Sequence, residues 1–181
     1  MDAFTTEPDS YIEGNSRAWK NWQSICKDPR TCQPCEDKHG KIYPFESKTY
    51  IPEHLRCRCK IVPMRTKEVG SATSEGWNGA DAWLMYEGRL PDNYITKKEA
   101  LKLGWRPGKR NLSEICPGVL IGNVVFNNNE KKLPDESNRI WFEADFDYSD
   151  ETRGSNRILY SNDGLIFISY DHANTFYELI K

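Results

Sequence analysis

The sequence lacks any apolar run that approaches the length of a membrane span. Its first residues, MDAFTTEPDSYIEG, also lack the basic and apolar regions of a signal peptide. We therefore expect no membrane association and no targeting signal in these residues. With 181 residues and 38% hydrophobic side chains, the chain has enough apolar material for one ordinary domain and a short module.

An excess of positive charge is also missing, because the formal net charge is -2 at pH 7. Bulk affinity for nucleic-acid phosphates comes from positive charge, so this value counts against indiscriminate binding of nucleic acids. Any site for RNA must then be a local cluster of cations on a neutral or acidic surface.

Cysteine is scarce after the first third of the chain, where Cys116 is the single one beyond residue 59. This uneven use predicts two parts, a Cys-rich module at 1–64 and a larger domain at 79–181. Residues 65–78 are polar, contain Gly and Ser, and show no hydrophobic periodicity, which predicts a linker between the parts.

The module contains one periodic segment. In 16–27, Trp19, Trp22 and Cys26 stand at positions i, i+3 and i+7, which predicts a short helix with Ser16 as its N-cap.

Four cysteines of the module could supply thiolates to one tetrahedral structural zinc ion: Cys32, Cys35, Cys57 and Cys59. A segment this small cannot bury a large core, so it needs a metal ion or cross-links to be stable. Disulfides and free thiols are the alternatives that the spacing leaves open. His54 or Cys26 could also replace one thiolate in the metal shell.

The same segment resembles the C-terminal signature of phage head-morphogenesis proteins over about 45 residues. The matching pieces are Trp19, Trp22, TCQPC (31–35), GKIY (40–43) and HLRCRC (54–59). The resemblance implies that the chain is the tail end of a longer phage-derived or exported polypeptide, with the module as a connector or pretoxin piece.

The larger domain begins with helix signals. Residues 79–86 form a helical pattern that Gly88 and then Pro91 close. Thr96 and Glu99 fit a capping box that starts a second helix, and Asn111 repeats the capping pattern before a third, very short helix.

From Val119 onward the hydrophobic period becomes two. The predicted strands are 119–126, 139–147, 156–161, 165–170 and 175–180. Helices followed by strands indicate the α+β class. Short turns such as that at 161–164 predict an antiparallel sheet.

Strand alternation separates apolar from chemically active side chains. Ile140, Phe142, Ala144 and Phe146 share one face of the strand at 139–147, whereas Glu143 and Asp145 share the other. Arg157 can stand on that open face, and His172 lies in a turn at the sheet edge. A carboxylate, a histidine and an arginine on one face are the parts of phosphodiester transesterification. Each of them alone is typical of an ordinary surface residue.

Residues 79–181 resemble the barnase-type microbial ribonucleases along their whole length. The matching runs are LPDNYITK (90–97), EA (99–100), LGW (103–105), NL (111–112), PG (117–118), KLP (132–134), EAD (143–145), RILYS (157–161) and DH (171–172). The fold that this resemblance implies has N-terminal helices packed on a twisted antiparallel β-sheet.

The resemblance also implies residue roles. Glu143 would be the general base, His172 the general acid, and Lys97, Arg153 and Arg157 the phosphate contacts. Single-stranded RNA would be cleaved by transesterification to a 2',3'-cyclic phosphate, which is then hydrolysed without a metal or other cofactor.

The resemblance also implies a guanine-binding loop, which consists of Phe126, Asn127, Asn128, Asn129 and Glu130. The sequence departs from the family pattern at three positions. Asn129 replaces an arginine, Lys131 replaces a glycine, and Ala173 replaces a tyrosine. These changes are expected to weaken guanine affinity and inhibitor binding without changing the cleavage chemistry.

Two hypotheses for function result. The first is a monomeric endoribonuclease that cleaves 3' of guanosine and serves as a toxin domain. A barstar-like acidic protein would inhibit it in the producing cell, and the chain would be secreted or delivered within a larger exported or phage-derived polypeptide. The second is a catalytically inactive, phage-type structural or zinc-binding adaptor.

Overall fold

The structure of the chain, a computed structural model, describes residues 15–24, 31–48, 54–148 and 154–181. Cys26 and Arg153, both singled out in the sequence, lie outside the described residues. Among the described residues, no helix combines the length and the apolar composition that a membrane crossing requires.

The described residues form short helices and strands, and the six elements from residue 120 onward are all strands. The helices are α1 (Gln33–Lys38), α2 (Ala80–Glu87), α3 (Lys97–Lys102) and α4 (Leu112–Ile115). The strands are β1 (Asn15–Ser24), β2 (Ile42–Pro44), β3 (Cys59–Glu68), β4 (Tyr94–Ile95), β5 (Leu120–Ile121), β6 (Val124–Phe126), β7 (Trp141–Asp145), β8 (Arg157–Ser161), β9 (Ile166–Ser169) and β10 (Tyr177–Ile180).

Within the described ranges, eight strands form one sheet in the order β2-β1-β3-β10-β9-β8-β7-β6. The five strands from β6 to β10 pair antiparallel, as predicted. The prediction of an antiparallel sheet is wrong at one edge of this group, because β3 runs parallel to β10. Strands β4 and β5 form a separate two-stranded parallel sheet. The chain is therefore a mixed fold with one large sheet and few helices.

The helix predicted at 16–27 is wrong, since residues 15–24 form strand β1, which pairs with both β2 and β3. The ring of Trp19 packs edge-on against Phe167 of β9, with ring centroids 5.9 Å apart. Pairing with distant strands thus overrides the local helical spacing.

The segment predicted as a linker is built into the fold. Its first residues complete β3, where Thr66 lies opposite Glu178 of β10. Val69 and Ala72 are buried. The carboxylate of Asp81, in α2, accepts hydrogen bonds from the amides of Gly70 and Ala72 at 2.8 and 3.2 Å. The division of the chain into two domains stays a prediction.

The two faces of the sheet carry two separate cores. Ala144, Ile158 and Ile168 pack with α2 residues such as Leu84 on one face. On the other face a second core forms around the middle of the sheet, from Ile42, Met64, Leu133, Trp141, Leu159, Phe167 and Phe176. Since cross-strand partners share a face, Glu143 and Arg157 lie on this second face, as predicted.

Local signals in the helical region have mixed outcomes. The capping box between Thr96 and Glu99 is confirmed. Asn111 is the N-cap residue of α4, but its side chain makes no cap hydrogen bond. The strand predicted at 119–126 is divided into β5 and β6. A side chain at Gly122 would meet Leu90 at 2.4 Å, and the next residue, Asn123, has a positive φ of 52°.

Candidate active site

A buried arginine links a carboxylate to the predicted general acid. Arg157 and Asp145 are cross-strand partners, and Nη1 of Arg157 lies 3.2 Å from Oδ1 of Asp145. Nη1 also donates to the carbonyls of Gly154 and Asn156, both at 2.7 Å. Nη2 lies 3.4 Å from Nδ1 of His172. The guanidinium is therefore fixed on one side and presented to the imidazole on the other.

Glu143 occupies the middle of β7 and is half-buried. It lies opposite Val124 of β6 and Leu159 of β8. Its diagonal neighbour on the same face is Arg157, and such neighbours are about 7–8 Å apart, within reach of long side chains. The structure thus brings Glu143, Arg157 and His172 to one end of the second face.

His172 sits in a strained turn after β9. Its φ is 57° and that of Ala173 is 61°, both in the left-handed region that non-glycine residues rarely adopt. The amide of His172 donates to the carbonyl of Ser155 at 2.9 Å, and the amide of Ala173 donates to Oγ of Ser169 at 2.9 Å. These bonds stabilise a conformation that the chain alone disfavours.

Asp171 organises the same turn. One of its carboxylate oxygens accepts hydrogen bonds from the amides of Asn174 and Thr175, at 3.1 and 2.8 Å, and the other accepts from the Thr175 hydroxyl at 2.8 Å. Burial by itself would raise the pKa of Asp171. The hydrogen bonds donated by Thr175, Ser169 and Asn174 outweigh it, so that the pKa is lowered.

The loop after β6 is closed by one of its own side chains. The amide group of Asn128 donates to the carbonyl of Leu133 at 2.8 Å, and its oxygen accepts from the Leu133 amide at 3.1 Å. Asn128 is thereby a positioning residue for the loop. Lys131, where the family resemblance has a glycine, adopts a positive φ of 49°.

A cleft of about 240 Å³ lies between this loop and the His172 turn. Its lining residues are Phe126, Asn127, Asn128, Asn129, Glu130, Lys132, His172, Ala173, Asn174 and Phe176. All five predicted base-binding residues therefore line one space with the predicted general acid. Glu130 contributes an exposed carboxylate, whose Oε2 lies 2.8 Å from Nζ of Lys132.

The other two predicted phosphate contacts are Lys97 and Arg153. Lys97 begins α3 with an exposed side chain. The core of α3 and α4 packs against Val124, the residue opposite Glu143, so α3 lies beside the strand edge next to the site. Arg153 belongs to the residues that the structure does not describe.

The predicted metal ligands also come together, away from this cleft. Sγ of Cys35 lies 3.7 Å from Sγ of Cys57, and His54 contacts Cys32 and Cys35. A hydrogen bond from the Cys35 amide lowers the pKa of Cys32, whereas burial raises that of Cys35. A backbone hydrogen bond at Leu55 raises the pKa of His54.

Four residues of the site were not predicted from the sequence. Lys132, Asn174 and Phe176 line the cleft, and Ser169 holds the turn. The grouping of Ser169, Asp171 and Thr175 is a usable signal, because Ser, Asp and Thr commonly bond to backbone amides a few residues away.

Chemically, the arrangement offers a carboxylate, an imidazole and a fixed cation beside a cleft of mixed polarity. A family model described as ribonuclease matches residues 80–179. The chain is similar to a ribonuclease of Bacillus pumilus, with 39% identity over 137 residues that cover 70% of this chain and 85% of that protein. A ribonuclease of Bacillus intermedius has 47% identity with the same coverage. A ribonuclease of Heyndrickxia coagulans is 47% identical over 100 residues, covering 55% of this chain and 92% of the relative.

Proposed function

Because the chain belongs to the ribonuclease family, we propose that it is an endoribonuclease that cleaves single-stranded RNA 3' of guanosine without a catalytic metal. The observation that carries this proposal is the contact of Arg157 with His172, on the sheet face that also holds Glu143 and beside the cleft of the base-binding loop. In this proposal Glu143 is the general base, His172 the general acid and Arg157 a phosphate cation, and the three act on one scissile phosphate.

In the first step, Glu143 takes the proton from the ribose 2'-hydroxyl, whose oxygen attacks the adjacent phosphorus. The bond from phosphorus to the 5'-oxygen breaks, and His172 gives that oxygen a proton. In the second step, water opens the 2',3'-cyclic phosphate with the two roles reversed. Each positioned proton transfer is worth about 10²- to 10⁴-fold in rate.

The contact with Arg157 supports the orientation of the acid. Nδ1 of the imidazole lies against this fixed guanidinium, so the ring is held with Nε2 directed away from the arginine. The acid is the imidazolium, which gives its Nε2 proton to the leaving oxygen and is left as the neutral imidazole that can accept a proton in the second step. Arg157, with Lys97 and Arg153, stabilises the negative charge on the phosphorane-like transition state, where one fixed donor contributes about 2.7–4 kcal/mol.

Guanine specificity is proposed for the cleft. Amides of 126–130 would donate to the guanine carbonyl oxygen, and Glu130 would accept from its N1 and amino hydrogens. The Asn128 bonds to Leu133 support a preformed loop. Lys132 pairs with Glu130 at 2.8 Å, so guanine must share this carboxylate or displace the lysine.

A toxin role and control by a barstar-like acidic inhibitor are part of the proposal, because an active ribonuclease is lethal in the cytosol of its producer. The chain would act as a monomer after secretion or delivery within a larger exported or phage-derived polypeptide. Asn129 and Ala173 remove an arginine and an aromatic ring from the inhibitor-facing surface of the family pattern, so we expect weaker inhibition.

Cleavage of guanylyl-uridine in buffer with EDTA tests the proposed chemistry. The expected products include guanosine 2',3'-cyclic phosphate. Substitutions Glu143→Ala and His172→Ala should each lower kcat by about 10²- to 10⁴-fold. The matched controls Glu136→Ala and His39→Ala should retain the rate of the unsubstituted protein. Turnover that needs added divalent metal, or that survives both active-site substitutions, contradicts the mechanism.

The second candidate is an inactive, phage-type adaptor whose thiolates Cys32, Cys35, Cys57 and Cys59 hold structural zinc. The clustering of these cysteines favours it. The same assay separates the two functions, since the adaptor predicts no turnover above background in the purified protein.

A further inference from the structure

Five side chains with metal-binding atoms gather where α1 meets the turn that precedes β3. They form two overlapping groups that share Cys35: Cys32, Cys35 and His54, and Cys35, Cys57 and Cys59. Within each group the ligand atoms lie within 4.8 Å of one another. No disulfide joins the cysteines that the structure describes. Thiolates and imidazole are the ligands that zinc prefers in tetrahedral structural sites.

His54 is oriented as a metal ligand would be. Its Nδ1 lies 2.9 Å from the carbonyl oxygen of Leu55, which can only accept a hydrogen bond. Nδ1 therefore carries the proton, and Nε2 presents its lone pair to the sulfurs of Cys32 and Cys35 at 3.0 and 3.2 Å. A backbone carbonyl on the far ring nitrogen is the usual outer partner of zinc-bound histidine.

Cys57 lies on the same turn as His54, since its amide donates to the His54 carbonyl at 3.1 Å. Its sulfur is 3.7 Å from that of Cys35. With bonds of about 2.3 Å, two sulfurs on one tetrahedral zinc ion are about 3.8 Å apart. The pair is therefore already spaced as one edge of a metal shell.

We propose that one zinc ion is bound by Cys32, Cys35, His54 and Cys57, with His54 in place of the fourth thiolate that cysteine spacing alone suggests. Binding releases the protons of the three thiols to solvent, and the imidazole stays neutral. Cys59, the buried first residue of β3, has its sulfur within 4.8 Å of those of Cys35 and Cys57 but is not in the group that contains His54. In this proposal it stays outside the metal shell.

Metal analysis of the full chain purified in reducing buffer tests this site without any measurement of RNA cleavage. We expect one zinc per chain. After exchange for Co²⁺, the thiolate-to-metal charge-transfer intensity should correspond to three sulfurs. His54→Ala should weaken zinc affinity by at least about 100-fold, since loss of an outer partner alone costs 10- to 100-fold.

Two matched variants complete the zinc test. His39→Ala, a second histidine of the same module, and Cys59→Ala should both keep one zinc per chain, with the cobalt spectrum unchanged. A spectrum of four sulfurs that is lost in Cys59→Ala and kept in His54→Ala overturns the proposed ligand set. Metal-free protein with disulfides between these cysteines overturns the site itself.

A different observation connects this module to the cleft. The amide of Ile42, in β2, donates to the carbonyl of Lys132 at 2.8 Å. A methyl group at Gly40 would lie 3.7 Å from Cε of Lys132 and 3.8 Å from the carbonyl oxygen of Asn174. The side chain of Ile42 is buried in one core with Phe176. The segment after α1 thus touches both walls of the cleft.

We infer that the stretch from Gly40 to Ile42 braces the base-binding cleft and is a positioning element for nucleotide recognition. This inference rests on the proposed role of the loop in binding guanine. The brace fixes the carbonyl of Lys132, and hence the end of the loop that carries Glu130. Because it acts through the loop, its loss should change nucleotide affinity more than the chemical step.

Calorimetric titration with guanosine 3'-monophosphate measures the brace in the full chain. Ile42→Ala keeps the amide bond to Lys132 and removes the side chain that packs in the core with Phe176 and so holds β2 in place. It should weaken binding by about tenfold, equivalent to 1.4 kcal/mol, and raise KM for guanylyl-uridine while kcat changes little. Ile61→Ala makes the same change in β3, beside the cysteines and away from the cleft, and should bind as the unsubstituted chain does. Equal affinity of the Ile42 variant and the unsubstituted chain overturns the inference.

Amide hydrogen exchange distinguishes failure of the brace from failure of the guanine proposal. If the unsubstituted chain shows no preference for guanosine over adenosine 3'-monophosphate, the guanine proposal fails by itself. The brace still predicts faster exchange at 127–133 in Ile42→Ala than in Ile61→Ala. Unchanged exchange there contradicts it.

Discussion

Asp145 and Arg157 face each other across β7 and β8, with 3.2 Å between a carboxylate oxygen and Nη1 and with both side chains more than nine-tenths buried. The pair lies on the sheet face that also holds Glu143, and Nη2 of the guanidinium lies 3.4 Å from Nδ1 of His172. Asp145 therefore acts through Arg157, as an anchor that orients a cation.

Substitution Asp145→Asn should lower the free energy of unfolding by about 3 kcal/mol or more, because it leaves a buried guanidinium without its compensating charge. Urea unfolding measures the change. The control is Asp92→Asn, which weakens the pair with Arg89 at 2.6 Å, where the two side chains are 87% and 54% exposed. An exposed pair contributes at most about 1 kcal/mol. Equal losses in the two variants would contradict the buried-anchor role.

Glu130 should determine the preference for guanosine. In Glu130→Gln, the ratio of kcat/KM for guanylyl-uridine over adenylyl-uridine should fall by the equivalent of about 1–3 kcal/mol, the discrimination that a bidentate contact to a base provides. Glu136→Gln, an exposed glutamate beyond the same loop, should leave the ratio unchanged. If the ratio is the same in both variants, the base is not read by this carboxylate.

Lys131 is expected to be a site of stored backbone strain. Its φ of 49° lies in the left-handed region, which costs a non-glycine residue about 1–2 kcal/mol. Glycine removes that cost but adds about 0.5–1 kcal/mol of chain entropy, so Lys131→Gly should stabilise the protein by up to about 1.5 kcal/mol in thermal or urea unfolding. Lys132→Gly should destabilise it, because Lys132 pairs with Glu130 and packs beside Gly40. Destabilisation by Lys131→Gly would refute the strain argument.

The features that the sequence predicts well are set by nearby residues. The Thr96 capping box spans four residues of chain, and the alternation that puts Glu143 and Ala144 on opposite faces of β7 follows from the strand geometry alone. The spacing of the cysteines along the chain also predicts that they cluster. The orientation of His54 toward them depends on a turn, which the spacing does not specify.

The predictions that were wrong concern features that depend on residues distant in the sequence. Strand β1 has a helical spacing of tryptophans, but it pairs with residues 59–65 and packs on Phe167. The break at Gly122 comes from its close approach to Leu90 and Tyr94, which no local pattern encodes. The contact between Ile42 and Lys132 joins two segments that sequence reasoning assigned to separate parts.

The turn that holds His172 should weaken in acid through Asp171. The hydrogen bonds to Asp171 lower its pKa below the ordinary value of 3.8. An acid whose folded pKa is lowered stabilises the fold fully above its unfolded pKa and loses that contribution as the pH falls through the folded pKa. Near neutral pH, Asp171→Asn should therefore unfold more easily than the unsubstituted protein, and the difference should shrink below pH 3.8.

Urea unfolding of both proteins between pH 7 and pH 3 measures this convergence. The control is Asp92→Asn, which changes an exposed carboxylate in another loop. Its difference in stability from the unsubstituted protein should not shrink in the same way as the pH falls. Because the Asp171 bonds stabilise the left-handed backbone at His172 and Ala173, the Asp171→Asn variant should also lose about 10- to 100-fold in kcat at neutral pH through misplacement of the acid. KM should change less, since the loop after β6 keeps the hydrogen bonds of Asn128 to Leu133. A stability difference that is constant with pH would mean that the ionised carboxylate does not hold the turn, even if kcat falls.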